Sequence, residues 1–180
     1  MTDVDIRDRV EDDRGLIKKI QLIIPGYRGY RQREDIRIAD SMLRNQVADQ
    51  LKNTIVLSLD NARSEASKEM EMDILNDIAA VLSKAQMLEE KIRHAEQGYT
   101  GISAGVRILQ EELNRIYEYD LSMLEGIAAI GTQAKAVESE AECGNFAEVK
   151  KMLKTMKGDL VQFIQLYEKR LLVALQLNVV

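Results

Sequence analysis

Apolar residues recur along most of this chain at intervals of three and four, separated by charged and amide residues. That is the period of a helix with one buried stripe. Leu16, Ile17, Ile20, Ile23 and Ile24 predict a short docking helix over about 9–24, which Pro25-Gly26 then stops. Ile36, Leu43, Val47 and Leu51 follow at intervals of 7, 4 and 4, and Ala39, Met42 and Ile55 widen the stripe. A third stripe runs from Met70 and Ile74 to Leu88 and Ile92 and ends at Gly98-Tyr99-Thr100-Gly101. A fourth carries Leu109, Leu113, Ile116, Leu124, Ile127 and Ile130, and Cys143-Gly144-Asn145 is its stop signal. The last runs from Val149 and Leu153 through Phe163 and Tyr167 to Leu175.

These stripes predict an all-α chain. Its elements are a short N-terminal helix and bundle helices over about 31–60, 66–96, 105–142 and 146–176. Helices of that length reach about 45 Å, and short connections make neighbours antiparallel, so the expected fold is an up-down-up-down four-helix bundle in a single domain, 1–180. One break is weakly marked. Residues 60–68 (Asp60 to Lys68) contain turn and cap formers but no Gly or Pro, and the stripe threads through them. The alternatives are a hairpin turning near residue 64 or one continuous helix; a hairpin is the expectation. Gly126 and Gly131 fall inside the fourth helix, where close helix contact accounts for them better than a kink.

Composition supports this picture and excludes several functions. One proline and ten glycines in 180 residues leave few turns. A net charge of −5 argues against gripping a nucleic-acid backbone. No apolar run approaches the ~18 residues of a membrane span, and the charged N-terminus lacks signal-peptide order. A single cysteine, Cys143, points to a reducing cytoplasm.

Candidate chemistry gathers at two Gly-Tyr-x-Gly segments, 26–29 and 98–101. In a hairpin both lie at one end of the bundle; along one helix they stand about 95 Å apart. Tyr27, Tyr30 and Tyr99, with Arg28, Arg93 and His94, would then form a surface suited to an acidic group. The structural alternative is that the rings cap the open end of the core while arginines bond helix-end carbonyls. Asp40 and Asp120 fall on apolar stripes, where a carboxylate needs a partner; Arg33, Arg37 and Arg115 are the nearby candidates, with Arg37 and Arg115 assigned to a buried polar network. The functional alternative for the two aspartates is a divalent-metal hydrolase or lyase. His94 is the only histidine and lacks a Glu three residues before it, so no ferritin-like centre is expected. No phosphate-loop, dinucleotide or Cys-x-x-Cys motif occurs, and no catalytic residue, metal ligand or cofactor is assigned. Glu138, Glu140 and Glu142 precede the last turn and Lys150, Lys151, Lys154 and Lys157 follow it; these read as solvated faces attracting one another.

Three blocks carry a resemblance. They are Ile24-Pro25-Gly26-Tyr27-Arg28-Gly29-Tyr30 with Arg37-Ile38-Ala39-Asp40; Lys91-Ile92-Arg93-His94-Ala95 with Gly98-Tyr99-Thr100-Gly101; and Leu113-Asn114-Arg115-Ile116-Tyr117-Glu118-Tyr119-Asp120. Over about residues 20–125 the chain resembles a prokaryotic family of uncharacterised, all-helical cytoplasmic proteins with a Pro-Gly-Tyr-x-Gly-Tyr opening and an Ile-Arg…Gly-Tyr-x-Gly turn. It departs from that pattern at Gln97, where an aromatic is usual, and at Ile102-Ser103. The resemblance implies a helical fold and no activity. The functional expectation is a non-enzymatic interaction or scaffold module that docks an acidic group of a protein partner at the Tyr/Arg end. Self-association through coiled-coil-like seams is a further option.

Overall fold

The computed structural model describes residues 6–27, 33–95 and 110–176, with side chains over 15–27, 38–95 and 114–173. All regular structure among them is helical. Helix α1 spans Ile6–Ile23 and α2 spans Arg33–Gln50. A π-helical segment, Leu51–Val56, joins α2 without a break to α3, Leu57–Lys68. Helix α4 spans Met72–Arg93, α5 Gln110–Glu142 and α6 Phe146–Gln176.

The π segment has a cause in the stripe. Leu43, Val47, Leu51, Ile55 and Leu59 are all fully buried and lie four apart. In an α-helix each such step overshoots a full turn by about 40°. The wider i→i+5 turn lowers the angle per residue and brings the stripe back toward the core. Leu51 and Ile55, inside the segment, stay at 0 % exposure as a result.

After Lys68 the chain reverses at Met70, six residues beyond the place the sequence predicts. Glu71 N donates to Ala66 O (3.0 Å) and Met70 N to Ser67 O (3.3 Å). This bond pair is the Schellman motif, which needs one left-handed residue. Met70 supplies it, at φ 58°. The α5–α6 turn repeats the same bonds: Asn145 N to Glu140 O (2.9 Å) and Gly144 N to Ala141 O (3.0 Å), with Gly144 at φ 71°. The 60–68 stretch, expected to break, is therefore helix, and the single-helix alternative fails at Met70.

Helices α2, the π segment and α3 pack on α4 and α5; α4 also packs on α6, α5 on α6, and α1 on α5. One apolar core runs between them, from Ile20 and Tyr27 to Ala141 and Val149. The two glycines inside α5 face neighbours. A Cβ on Gly126 would lie 3.4 Å from the Phe163 ring, and one on Gly131 would lie 3.4 Å from Thr54 Cγ2 in the π segment.

Candidate functional site: a buried charge bridge at one end

Tyr27 enters the core by a short turn. Ile24 N bonds back to Ile20 O, Gly26 takes φ 85°, and Gln21 Nε2 donates to Tyr27 O (2.8 Å). The left-handed Gly26 redirects the chain inward. The Tyr27 ring is 1 % exposed and its hydroxyl donates to Asp120 Oδ2 at 3.3 Å.

Asp120 is the centre of a charge bridge. Arg170 Nε donates to Asp120 Oδ1 (2.6 Å) and Arg170 Nη1 to Asp40 Oδ1 (2.7 Å). Arg44 Nε donates to Asp40 Oδ2 (2.8 Å). Arg44 Nη1 reaches Ala95 O (2.9 Å) and, at longer range, Ile92 O (3.5 Å). All four charged side chains are buried, with Asp120 at 0 % and Arg170 at 1 % exposure. Two carboxylates and two guanidinium groups cancel in charge, which is the condition for keeping them out of water. Arg44 also places a cation at the C-terminus of α4, where the helix dipole favours one.

The path of contacts touches every long helix: Asp40 and Arg44 on α2, the carbonyls at the end of α4, Asp120 on α5, Arg170 on α6. It also joins Tyr27, inside the first Gly-Tyr-x-Gly segment, to Ala95, three residues before the second. Beside it the Tyr167 hydroxyl is buried with no hydrogen-bond partner among the described residues. Burial pushes the Tyr167 phenol above its ordinary range, Arg170 opposing the shift and Asp40 adding to it.

Several expectations need correction here. Tyr27 is a core residue that seals the end, so it offers no exposed anchor. Arg115 is exposed and stands outside the bridge; on α5 it lies five residues before Asp120 and points elsewhere. Its expected place is taken by Arg44 and Arg170, and by these residues the structural alternative is realised: a ring caps the core while an arginine bonds helix-end carbonyls. Arg93 pairs with Glu89 and, at 2.9 Å, with Asp49, and both carboxylates hold its guanidinium above its ordinary pKa. His94 is exposed at the C-cap of α4, its N–H bonded to Glu90 O. Arg28, Tyr30 and Tyr99 lie outside the described residues, as does the Arg37 side chain.

Arg44 and Arg170 carried a readable signal. Arg44 stands four residues after Asp40, the spacing of a helix ion pair. Arg170 continues the stripe Leu153, Met156, Leu160, Phe163, Tyr167 at its next step. A charge at a core position marks the partner of another buried charge.

The donor set does not suit a divalent ion. Asp40 and Asp120 are joined by the Arg170 guanidinium, which occupies the bridging position a metal would take. Among the described residues no group of three or more His, Cys, Asp or Glu side chains is placed to hold one. Nor is any described helix long and apolar enough to cross a membrane. Elsewhere, Gly126, Ile130, Phe163 and Leu166 line an open hollow of about 450 Å³ between α5 and α6. Compared with family models, curated proteins and solved structures, the chain matches none.

Proposed function

We propose that the chain is a non-enzymatic interaction or scaffold module of the cytoplasm, an up-down-up-down four-helix bundle whose bridged end docks an acidic group of a protein partner. The supporting observation is the bonded path from Tyr27 through Asp120, Arg170, Asp40 and Arg44 to Ala95. It holds Tyr27, in the first Gly-Tyr segment, and Ala95, three residues before the second, on one bonded path that also reaches α2, α4, α5 and α6. The antiparallel order is supported by pairs that run in opposite directions: Arg44 with Ala95 and Asp49 with Arg93, then Asp120 with Arg170 and Gln133 with Asp159. The resemblance of the Gly-Tyr blocks to a helical family belongs to this proposal and adds no activity to it. Cytoplasmic placement rests on the free, exposed thiol of Cys143.

The test is binding of a short acidic peptide, about six residues and too short to form a helix, followed by fluorescence anisotropy. Wild type binds it, and the pair His94→Glu with Arg28→Glu weakens binding about tenfold or more while helicity is unchanged. Equal binding by both chains, or none by wild type, overturns the reading.

A further inference from the structure

Helices α4 and α6 pack along a shallow groove whose charge runs against that of the whole chain. At its middle, Val81 and Leu153 floor a hollow of about 250 Å³ rimmed by Lys150, Lys154 and Lys157, with Asp77 on the opposite wall. Further along, Leu88 and Ile164 floor a second of about 170 Å³, flanked by Lys84 and by Met87. Met87 is 69 % exposed, and Val161, between the hollows on α6, is 37 % exposed. Lys84, Lys150, Lys154 and Lys157 form no ion pair among the described residues. Two members of the acidic run expected to attract the α6 lysines bond to other side chains. Glu138 accepts from Asn61, Glu140 from Asn145, and only Lys151, outside the groove, pairs with Glu148. At the far end Lys91 pairs with Glu168. The groove thus presents four uncompensated ammonium groups against one carboxylate, Asp77, in a protein of net charge −5.

From this placement we infer that the α4–α6 groove binds an acidic amphipathic helix of a partner protein. Val81 and Leu88, the floors of the two hollows, stand seven residues apart on α4, about 10 Å. An occupant helix that buries apolar side chains at i and i+7 matches that interval, with i+3 or i+4 over Val161 and Met87. Its flanking Asp and Glu side chains then meet Lys84 on one side and Lys150, Lys154 and Lys157 on the other. The groove between Asp77 and Lys91 is about 21 Å long, room for about 14 helical residues. Rim lysines of this kind steer the encounter and set its salt dependence, while the apolar hollows hold the bound helix. This extends the interaction-module reading to a second surface and rests on it only for the class of partner.

The probe is a fluorescein-labelled peptide of about 16 residues with Leu at helical spacing and Glu between, compared with a scramble of the same composition. Wild type is expected to bind the patterned peptide and to bind the scramble about tenfold more weakly. Lys150→Glu, Lys154→Glu and Lys157→Glu together should lower affinity about tenfold or more, and Met87→Glu should lower it separately. These are exposed positions, so circular dichroism should be unchanged. His94→Glu with Arg28→Glu should leave this binding intact, so loss at the bridged end and loss in the groove are read separately. Equal binding of peptide and scramble overturns the inference. So does unchanged affinity in the lysine triple variant, or capture by anionic vesicles but not by the peptide, which would make the groove a lipid-facing surface.

Discussion

Replacing Arg170 by Met keeps the length of the stem and removes the guanidinium that joins Asp40 Oδ1 at 2.7 Å to Asp120 Oδ1 at 2.6 Å. Among the described residues one guanidinium, Arg44, then remains with two buried carboxylates, and Asp120 has lost the cation it meets at 2.6 Å. Breaking a buried pair in this way costs about 3–5 kcal/mol, far more than the pair itself adds over apolar packing. A domain of this size stands about 5–15 kcal/mol above its unfolded state, so the variant should fold but with little margin. Its melting temperature should drop by about 6–20 °C. Urea titration at neutral pH, followed by helical ellipticity, measures the loss directly. The companion variant Asp120→Asn removes the opposite charge, and the double variant restores neutrality around Asp40 and Arg44. The double should therefore be more stable than the sum of the singles predicts, by about 1.5–3 kcal/mol. A loss under about 1 kcal/mol for Arg170→Met, or strict additivity, would show that the bridge is solvated and refute its role in holding the fold.

Other perturbations test separate pieces. Met70→Gly relieves a left-handed backbone at φ 58° and should raise stability by about 1 kcal/mol in the same urea titration; a decrease would mean the Met70 side chain contributes contacts its 82 % exposure denies. Tyr167→Phe removes a buried hydroxyl with no partner among the described residues, so neutral-pH stability should hold or rise by up to about 2 kcal/mol. The same variant should lose an alkaline step. Above about pH 10 the unfolded tyrosine ionises first while burial keeps Tyr167 protonated, so wild-type stability falls with pH by up to about 1.4 kcal/mol per unit from this group. Parallel curves for both proteins would contradict that. Gly131→Ala places its Cβ 3.4 Å from Thr54 Cγ2, at the edge of ordinary contact, and should be neutral or stabilising by up to about 1 kcal/mol through helix propensity; thermal melting decides it.

The stripes made most of the helices legible, because burial needs only the right residue type at the right phase. Leu43 to Leu59, Ile74 to Ile92 and Val149 to Tyr167 all lie inward where their spacing puts them. The turn after α3 was misplaced for a definite reason. Turn chemistry favours Gly at a left-handed position, and here the position is held by Met70, while the Asp60-Asn61 and Ser64 signals fall within helix. The α5–α6 turn, with the same bonds and Gly144 in place, was read correctly.

The site was legible in its acids and not in its bases. Asp40 and Asp120 stood out as charges on apolar stripes. The expected partners near them in sequence are Arg33, Arg37 and Arg115, whereas the bridge draws Arg170 from 50 residues beyond Asp120. Helix spacing reveals which side a residue faces, but which helices meet at a given height depends on turn positions and lengths. The same limit applies to Tyr27. Its chemistry suits a binding surface and a sealed core end equally, and only the turn at Gly26 decides in favour of the core.

The most direct measurement takes Asp49 and Arg93, whose side chains meet at 2.9 Å across the reversal. Both are changed to Cys with Cys143→Ser, spin-labelled, and their separation is read by pulsed dipolar spectroscopy. A chain that doubles back at Met70 gives one population at well under half of the ~66 Å that an unbroken helix would place between those positions. A distribution centred near the longer value would separate the two Gly-Tyr segments, and with them the bridged end.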